Sequence, residues 1–282
     1  MSAVGHKIAD SAADLTEQNY RFLKEHLYHE SGIVLENGKN YLVESRLIPI
    51  VKRQRLASLN DLCSALQRDP KDSLNREVVE AMTTNETMFF RDSTLWAELK
   101  TTILPELVQL RSQTRRLRFW SAASSSGQEA HTLAITLLEM GLGDWDVQIL
   151  GTDLSDQMVA RARSGQYSQL EVGRGLPAPF LVKYFTRNGL QWQVKDEVKR
   201  WVRFQRADLR QKLNIYGPFD IVFCRNVLIY FDVPTKQKIL TEIQQTLVGG
   251  GYLVLGSAET VLNLNSTFER RPSTRASFYR VS

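Results

Sequence analysis

The sequence predicts an α/β protein with a small all-helical N-terminal domain, a Rossmann-like second domain and an inserted antiparallel β-ribbon. From residue 15 to 82, apolar residues recur at helical spacing without strand-like alternation. After residue 116, strands and helices alternate, which is typical of a parallel sheet with crossover helices. The alternation stops at residues 165–206, where short runs of alternating polarity predict the ribbon.

The helical domain is predicted at residues 15–82, after a loose polar tail at residues 1–14. Its second apolar segment, residues 41–56, contains Pro49, which should kink or break the helix. Two of the helix starts are marked by the N-cap residues Thr16 and Ser58. Residues 83–95 are predicted to link this domain to the second one, at residues 96–282.

In the second domain, four strands are expected to form the parallel part of the sheet, at residues 116–121, 146–152, 219–224 and 252–257. The crossover helices are expected at residues 127–140, 155–163 and 234–247. Short runs at residues 190–194 and 201–204 are assigned to the ribbon. Residues 268–271 and 276–281 should close the domain as an antiparallel pair.

Composition favours an ordinary globular protein. The chain has 282 residues, of which 43% are apolar, and a net charge of +5. No apolar run approaches the ~20 residues of a membrane helix, and no secretory signal is evident. We therefore expect no direct membrane insertion. Cys63 and Cys224 lie far apart and lack metal-site spacing, so we expect a reduced, cytoplasmic protein with no metal. The positive charge favours an acidic partner but is equally consistent with a scattered basic surface.

The loop after the first strand contains only small residues, from Ser121 to Gly127. Small side chains let a ligand approach the backbone closely. The loop has neither the G-x-G-x-x-G pattern nor the lysine of a P-loop, which disfavours a pyrophosphate ligand. Glu129, one turn into the next helix, would repel phosphate but suits a cationic or hydroxyl-bearing ligand.

Polar residues also follow the next strands, where open α/β sheets bind ligands. Asp153 ends the second strand, at the position that holds ribose hydroxyls in this architecture. Asp208 and Leu209 follow the apolar run at residues 201–204, where an adenine amino group could find an acceptor, and Arg225 and Asn226 follow the strand at residues 219–224. Each feature alone is common in α/β domains. Together they predict positions for a ribose and an adenine but none for a phosphate, which indicates S-adenosylmethionine.

The linker carries polar side chains, two aromatic residues and an arginine instead of Gly, Ser or Pro. Alone, it is equally consistent with a helix cap and a hydrophobic anchor. Together with two other segments, it closely resembles the CheR family, the bacterial chemotaxis receptor glutamate O-methyltransferases, from about residue 15 to the C-terminus. The segments are Thr84-Asn85-Glu86-Thr87 with Phe89-Phe90-Arg91-Asp92, residues 120–129, and Phe223-Cys224-Arg225-Asn226-Val227-Leu228-Ile229-Tyr230-Phe231.

Members of that family transfer the methyl group of S-adenosylmethionine to glutamates on the cytoplasmic helical domain of methyl-accepting chemotaxis receptors. The products are S-adenosylhomocysteine and methyl esters that serve sensory adaptation. The resemblance assigns Arg91 and Tyr230 to the reacting methyl group, Glu129 to the methionine amino group and Asp153 to the ribose. The implied cofactor-binding residues are Asn85, Thr87, Arg91, Glu129, Asp153, Asp208, Leu209, Arg225 and Asn226, of which the last four border the adenosine.

The sequence departs from the family in the loop and its helix. Residues 127–132 read Gly-Gln-Glu-Ala-His-Thr, where the family usually has Gly-Glu-Glu-Pro-Tyr-Ser, and Ala123 replaces a common glycine. Glu129 is retained, so the implied cofactor stands.

Two other function classes are alternatives. A nucleic-acid methyltransferase acting on base amino groups usually carries Asn/Asp-Pro-Pro-Tyr/Phe after the strand that corresponds to residues 219–224, where this chain has Arg225-Asn226-Val227-Leu228. The chain also has no basic stretch interleaved with aromatic residues. An S-adenosylmethionine-binding adaptor would be indicated by loss of Glu129 or Asp153, and both are present. We expect no nucleic-acid partner, and a monomer.

The chemistry of ester formation asks little acid–base work of the protein. A receptor glutamate is already ionised at neutral pH, since its reference pKa is about 4.3, so no general base is needed. His131 is therefore expected to be structural, and Arg91 could orient the carboxylate. The resemblance places a receptor-contacting basic helix at Arg46, Lys52, Arg53 and Arg55, for which a solvated basic face is the alternative.

Some family members also bind a C-terminal receptor pentapeptide through the ribbon, and the length of the ribbon loop distinguishes them. Here residues 184–194 form a tight hairpin with little room to hold the side chains of an added peptide strand. We predict that calorimetric titration with a peptide ending in Trp-x-x-Phe shows no binding. Micromolar affinity would show that hairpin length is a misleading criterion.

Overall fold

The structure is a computed structural model that describes residues 15–69, 73–265, 267–272 and 274–281. The chain divides into two compact units. One comprises Met1–Thr84 with the short segment Tyr230–Asp232, and the other comprises Asn85–Ile229 with Val233–Ser282. The tail predicted at residues 1–14 lies outside the described residues.

The first unit is helical, as predicted. Its described helices are α1 (Glu17–Ser31), α2 (Asn40–Arg53), α3 (Leu59–Arg68) and α4 (Ser73–Met82). The side chains of Thr16 and Ser58 accept backbone N–H groups in the first turns of α1 and α3, which confirms both caps. The helix α2 continues through Pro49, because Leu47 and Ile50 on either side of it are buried and hold both halves against the core. A break at Pro49 is therefore the wrong alternative.

The second unit is built on a seven-stranded sheet. Its strands are β1 (Arg116–Ala122), β2 (Asp146–Asp153), β6 (Val202–Arg206), β7 (Phe219–Cys224), β8 (Leu247–Leu255), β9 (Phe268–Arg270) and β10 (Phe278–Val281). Their order across the sheet is β6-β2-β1-β7-β8-β10-β9, with β10 antiparallel to both of its neighbours and the other pairs parallel. The order reverses between β1 and β7, as in a Rossmann-like fold.

Helices complete the second unit: α5 (Ser93–Glu98), α6 (Leu104–Leu110), α7 (Gln128–Glu139), α8 (Asp156–Ser164), α9 (Gln169–Gly173), α10 (Ala178–Tyr184), α11 (Asp196–Lys199) and α12 (Val233–Thr246). A π-helical turn, Leu99–Ile103, joins α5 to α6, and a 3₁₀ turn, Leu228–Tyr230, follows β7. The sequence did not predict the segment from α5 to α6. It joins the core through Trp96, which stacks on Phe223 with ring centroids 5.9 Å apart.

The predicted ribbon is a separate three-stranded antiparallel sheet of β3 (Gln166–Ser168), β5 (Gln191–Val194) and β4 (Phe185–Asn188). Two residues, Gly189 and Leu190, connect β4 to β5, and Gly189 has a φ of +60°. The assignment of residues 201–204 to the ribbon was wrong, because β6 pairs in parallel with β2. As an edge strand with one exposed face, β6 alternates in polarity like a ribbon strand.

Candidate functional site

The carboxyl ends of four parallel strands meet at one edge of the sheet. Ala122 of β1 pairs with Thr152 of β2 on one side and with Cys224 of β7 on the other. Asp153 pairs with Arg206, the last residue of β6. The loops after these strands therefore begin side by side where the strand order reverses, which is the ligand-binding position of open α/β sheets.

The loop after β1 turns tightly along its backbone. Ala123, Ser125 and Gly127 have positive φ angles of 57°, 50° and 93°. A Cβ atom at Gly127 would lie 2.9 Å from both Ala162 and Phe204, so only glycine fits there. The run of small residues was predicted to let a ligand approach the backbone, whereas at Gly127 the close neighbours are side chains of the protein itself.

Asp153 fastens that loop to the start of α8. Its carboxylate accepts the backbone N–H of Ser125 at 2.8 Å and that of Ser155 at 3.0 Å. Only 7% of Asp153 is exposed. The residue that the sequence assigns to ribose hydroxyls is thus also the anchor of the loop after β1.

Arg225, directly after β7, is a buried charge at the same edge, with 2% of its side chain exposed. Its Nη1 donates to the Glu129 carboxylate at 2.7 Å. Its Nη2 donates to the Asp92 carboxylate and, at 3.2 Å, to the Arg91 carbonyl. The Ser121 hydroxyl donates to the other Glu129 oxygen at 2.7 Å. Because the guanidinium is buried, loss of these partners would leave an uncompensated charge, so the contacts couple the linker, the helix α7 and the loop after β7.

The Nε–H of Arg225 is buried and has no acceptor in the described part of the chain. Since buried polar groups nearly always find a hydrogen-bond partner, this donor suits an acceptor supplied by a ligand, such as a carboxylate. Glu129 bonds to Arg225, and Asp153 ends β2 at the same edge of the sheet. Their negative charge disfavours phosphates and favours an ammonium group or hydroxyls. The set fits a ligand that joins an amino acid to a nucleoside.

The structure brings the start of the linker to the same loop. The Asn85 carbonyl accepts the Ser125 hydroxyl at 2.8 Å. Thr87 is half-buried, and Arg91 donates from Nη1 to the Glu86 carbonyl at 3.0 Å. The backbone of Asn85 therefore lies against the loop after β1, whereas the Arg91 guanidinium is bonded within the linker.

The remaining predicted cofactor residues follow β6 and β7. Both Asp208 oxygens accept from the Arg210 guanidinium, at 3.0 Å from Nε and 2.7 Å from Nη2, and the neighbouring Leu209 is buried. Asn226 has a φ of 59°, and its backbone N–H donates to the carboxylate of Glu259. Tyr230 belongs to the helical unit, unlike every other residue assigned to the cofactor or the methyl group.

Three residues of this network were not predicted as site residues: Ser121, Asp92 and Glu259. Ser121 and Asp92 lie inside segments that the sequence singled out, so their polar side chains were an available signal. Glu259 is a single acid in the loop after β8 and gave no signal.

Three of the predicted docking residues, Arg46, Lys52 and Arg53, lie on one helix, α2, and Arg55 follows it. Arg53 forms an ion pair with Glu77. The side chains of Lys52 and Arg55 are exposed and form no hydrogen bond or ion pair with another described residue. They are the cations that remain available to a partner.

Arg46 is engaged inside its own unit. Its Nη1 donates to the carbonyls of Met82 and Thr83 at 2.6 and 3.0 Å, and its Nη2 donates to the Thr84 hydroxyl at 2.9 Å. It therefore holds the chain just after α4.

His131 is a buried histidine of α7 with a structural role. The Tyr167 hydroxyl donates to the Ser126 carbonyl at 2.7 Å and lies 2.9 Å from Nδ1 of His131. Because the hydroxyl has one hydrogen, Nδ1 must be the donor in that second contact. Burial, followed by the positive charge of Lys199, lowers the pKa of His131 to about 3.

The described ranges of the chain contain no cluster of His, Cys, Asp and Glu side chains able to hold a metal ion. They also contain no helix that is both long and apolar enough to cross a membrane.

Two family models match the chain. "CheR methyltransferase, SAM binding domain" matches residues 85–277, and "CheR methyltransferase, all-alpha domain" matches residues 18–83. Chemotaxis protein methyltransferase 1 of Vibrio cholerae is 41% identical over 265 residues, covering 92% of this chain and 95% of that protein. The chemotaxis protein methyltransferase of Vibrio parahaemolyticus is 42% identical, covering 92% and 95%. Chemotaxis protein methyltransferase 1 of Pseudomonas aeruginosa is 40% identical, covering 93% and 97%.

We predict that His131 makes the protein less stable in mild acid. Its pKa is lower in the folded protein than the ~6.5 of an unfolded chain, so the unfolded state takes up the proton first as pH falls. The stability that depends on neutral His131 is fully present above about pH 6.5 and is lost towards pH 3. At pH 5 the loss in the free energy of unfolding is about 2 kcal/mol. In urea denaturation, the free energy of unfolding should fall between pH 7.5 and pH 5 in both proteins. The fall should be smaller in His131→Gln than in the wild type by about this amount. Equal drops in the two proteins would contradict this.

Proposed function

The chain belongs to the CheR methyltransferase family, and from that premise we propose that it methylates glutamate side chains of methyl-accepting chemotaxis receptors. The methyl donor is S-adenosylmethionine, and the products are a γ-carboxyl methyl ester and S-adenosylhomocysteine. The observation that carries this proposal is the buried Arg225–Glu129 pair at the reversal of strand order, with an unsatisfied Arg225 Nε–H beside it. The proposed setting is the cytoplasm, with the enzyme acting as a monomer.

The proposed cofactor contacts follow from the donor and acceptor groups. Glu129 takes the methionine ammonium group, and Arg225 Nε takes the methionine carboxylate. Arg225, which the resemblance assigned to the adenosine end, is thus proposed at the amino-acid end, because it is bonded to Glu129. Asp153 takes the ribose hydroxyls. Asn85, Thr87, Asp208, Leu209 and Asn226 complete the site.

When bound, S-adenosylmethionine supplies a methyl group that is activated by a positive sulfur. The receptor glutamate is ionised near neutral pH, so the protein needs no base to activate it. This agrees with His131, which burial keeps neutral and which has a structural partner. The proposed work of the enzyme is alignment and exclusion of water, and alignment alone can contribute roughly 7–11 kcal/mol. Arg91 and Tyr230 are proposed, as the resemblance implies, to act nearest the reacting methyl group.

Receptor docking is proposed at the basic end of α2. The exposed Lys52 and Arg55, together with Arg53, would face acidic receptor helices and steer the encounter through long-range attraction. Arg46 would not contact the receptor, because its guanidinium is bonded to the chain after α4. We also propose that no pentapeptide tether is used, since only Gly189 and Leu190 connect β4 to β5.

Transfer of labelled methyl from S-adenosylmethionine to receptor cytoplasmic fragments tests the function directly. We predict incorporation that is released by mild base, as expected for an ester. Asp153→Ala should weaken S-adenosylmethionine binding by about 1.5–3 kcal/mol, the scale of a hydrogen bond to a charged group. Asp156→Ala, at an exposed acid of α8, is the matched control and should bind as the wild type does. Base-stable label would refute ester formation, and equal affinities of the two variants would remove Asp153 from the site.

The docking proposal predicts a change in receptor KM without a change in cofactor affinity. Reversing both free cations, with Lys52→Glu and Arg55→Glu, should raise the KM for the receptor fragment by about five- to tenfold. Added salt should weaken the wild type more than the variant, because screening removes an attraction that only the wild type has. Arg21→Glu, an exposed cation of α1, serves as control. Receptor kinetics that respond to neither the double reversal nor ionic strength would exclude this surface as the dock.

A further inference from the structure

Glu259, in the loop after β8, is a buried carboxylate that bonds almost entirely to backbone. Its Oε2 accepts the N–H groups of Asn226 and Gly256 at 2.7 and 2.8 Å. Its Oε1 accepts those of Val227 and Leu228 at 2.9 and 2.8 Å. Only 7% of the residue is exposed. Three of its four donors belong to the loop after β7, which is 31 to 33 positions away in the chain.

The surrounding backbone is shaped to admit this carboxylate. A Cβ atom at Gly256 would lie 2.8 Å from Oε2 of Glu259 and 2.7 Å from Nδ2 of Asn226, so a larger residue would displace both. Asn226 has a φ of 59°, in the left-handed region that few residues other than glycine, Asn and Asp adopt readily. Glu259 accepts the N–H groups of Asn226 and of the next residue, Val227, and so fixes the backbone before and after the Cα atom of Asn226.

That turn begins at Arg225, the residue whose guanidinium is bonded to Glu129 and Asp92. The direction in which Arg225 leaves β7 therefore depends on a backbone that Glu259 fixes. The carboxylates of Glu259 and Glu129 both contribute, after burial, to raising the pKa of Cys224, the last residue of β7. Both acids thus act on the segment from Arg225 to Leu228. Glu129 bonds to the side chain of Arg225, and Glu259 bonds to the backbone of the three residues that follow.

We propose that Glu259 is a positioning residue for cofactor binding. This inference rests on the proposed function. Glu259 holds the turn after β7 so that the Arg225 Nε–H faces the carboxylate of the cofactor's amino-acid part. Glu259 itself contacts no ligand, because about four lone-pair sites are available on a carboxylate and four backbone groups occupy them.

A residue that acts in this way should affect one end of the cofactor and not the other. S-adenosylhomocysteine carries the amino-acid part, and 5′-methylthioadenosine lacks it while keeping the adenosine. Glu259→Gln replaces one acceptor oxygen by an NH₂ group that would face backbone donors, so the turn must shift. The affinity for S-adenosylhomocysteine should fall by about tenfold or more, whereas that for 5′-methylthioadenosine should change by less than about twofold.

The control is Glu98→Gln. Glu98 also accepts two backbone N–H groups from a loop, those of Arg275 and Ala276 at 2.8 and 2.9 Å, but it lies outside the proposed site. This variant should bind both nucleosides as the wild type does. Calorimetric titrations would be run where urea denaturation shows each protein to be folded.

The outcomes separate the two levels of the proposal. If the wild type binds neither nucleoside, the proposed function fails and the inference fails with it. If the wild type binds both and Glu259→Gln weakens both equally or neither, only the positioning role is refuted. Should Glu259→Gln not fold, Glu259→Asp keeps the charge and draws the carboxylate back by one methylene. It should show the same selective loss for S-adenosylhomocysteine, and an unselective loss would refute the role.

Discussion

Carboxylates with little exposure hold together the loops at the carboxyl edge of the sheet, and the rest of the candidate site depends on them. Asp153 fastens the loop after β1, Glu129 fastens the side chain of Arg225, and Glu259 fastens the backbone after β7. Because burying a charge without a partner is costly, separating any of these acids from its partners would destabilise the site. The site is thereby arranged before any ligand arrives, which lowers the ordering cost of binding.

The three acids differ in whether their partners are backbone groups or a charged side chain. Asp153 and Glu259 accept hydrogen bonds from backbone N–H groups, whereas Glu129 forms an ion pair with Arg225. A backbone partner cannot move away without distorting the loop, but the Arg225 guanidinium still has an unsatisfied Nε–H. The paired charges can therefore meet an ammonium and a carboxylate together, which suits the zwitterionic amino-acid part of the proposed cofactor.

The sequence predicted the parts of this architecture that are local. The small loop, the acid at the end of β2 and the polar residues after β7 are each visible in a few adjacent letters, and the structure brings them to one edge. Contacts between distant segments were not predictable in this way: Glu259 reaches back to Asn226, and Arg46 holds Thr84. The strand β6 was misassigned because an exposed edge strand has the same polarity pattern whether its neighbour is parallel or antiparallel.

The central claim is that the Arg225–Glu129 pair receives the amino-acid part of the cofactor. A crystal structure of the protein with S-adenosylhomocysteine tests this most directly. The account predicts a carboxylate oxygen of the ligand at about 2.7–3.2 Å from Arg225 Nε, the ordinary hydrogen-bond range, and the ligand's amino group on Glu129. A complex in which the amino-acid part lies elsewhere, with Arg225 against the adenine, would contradict it.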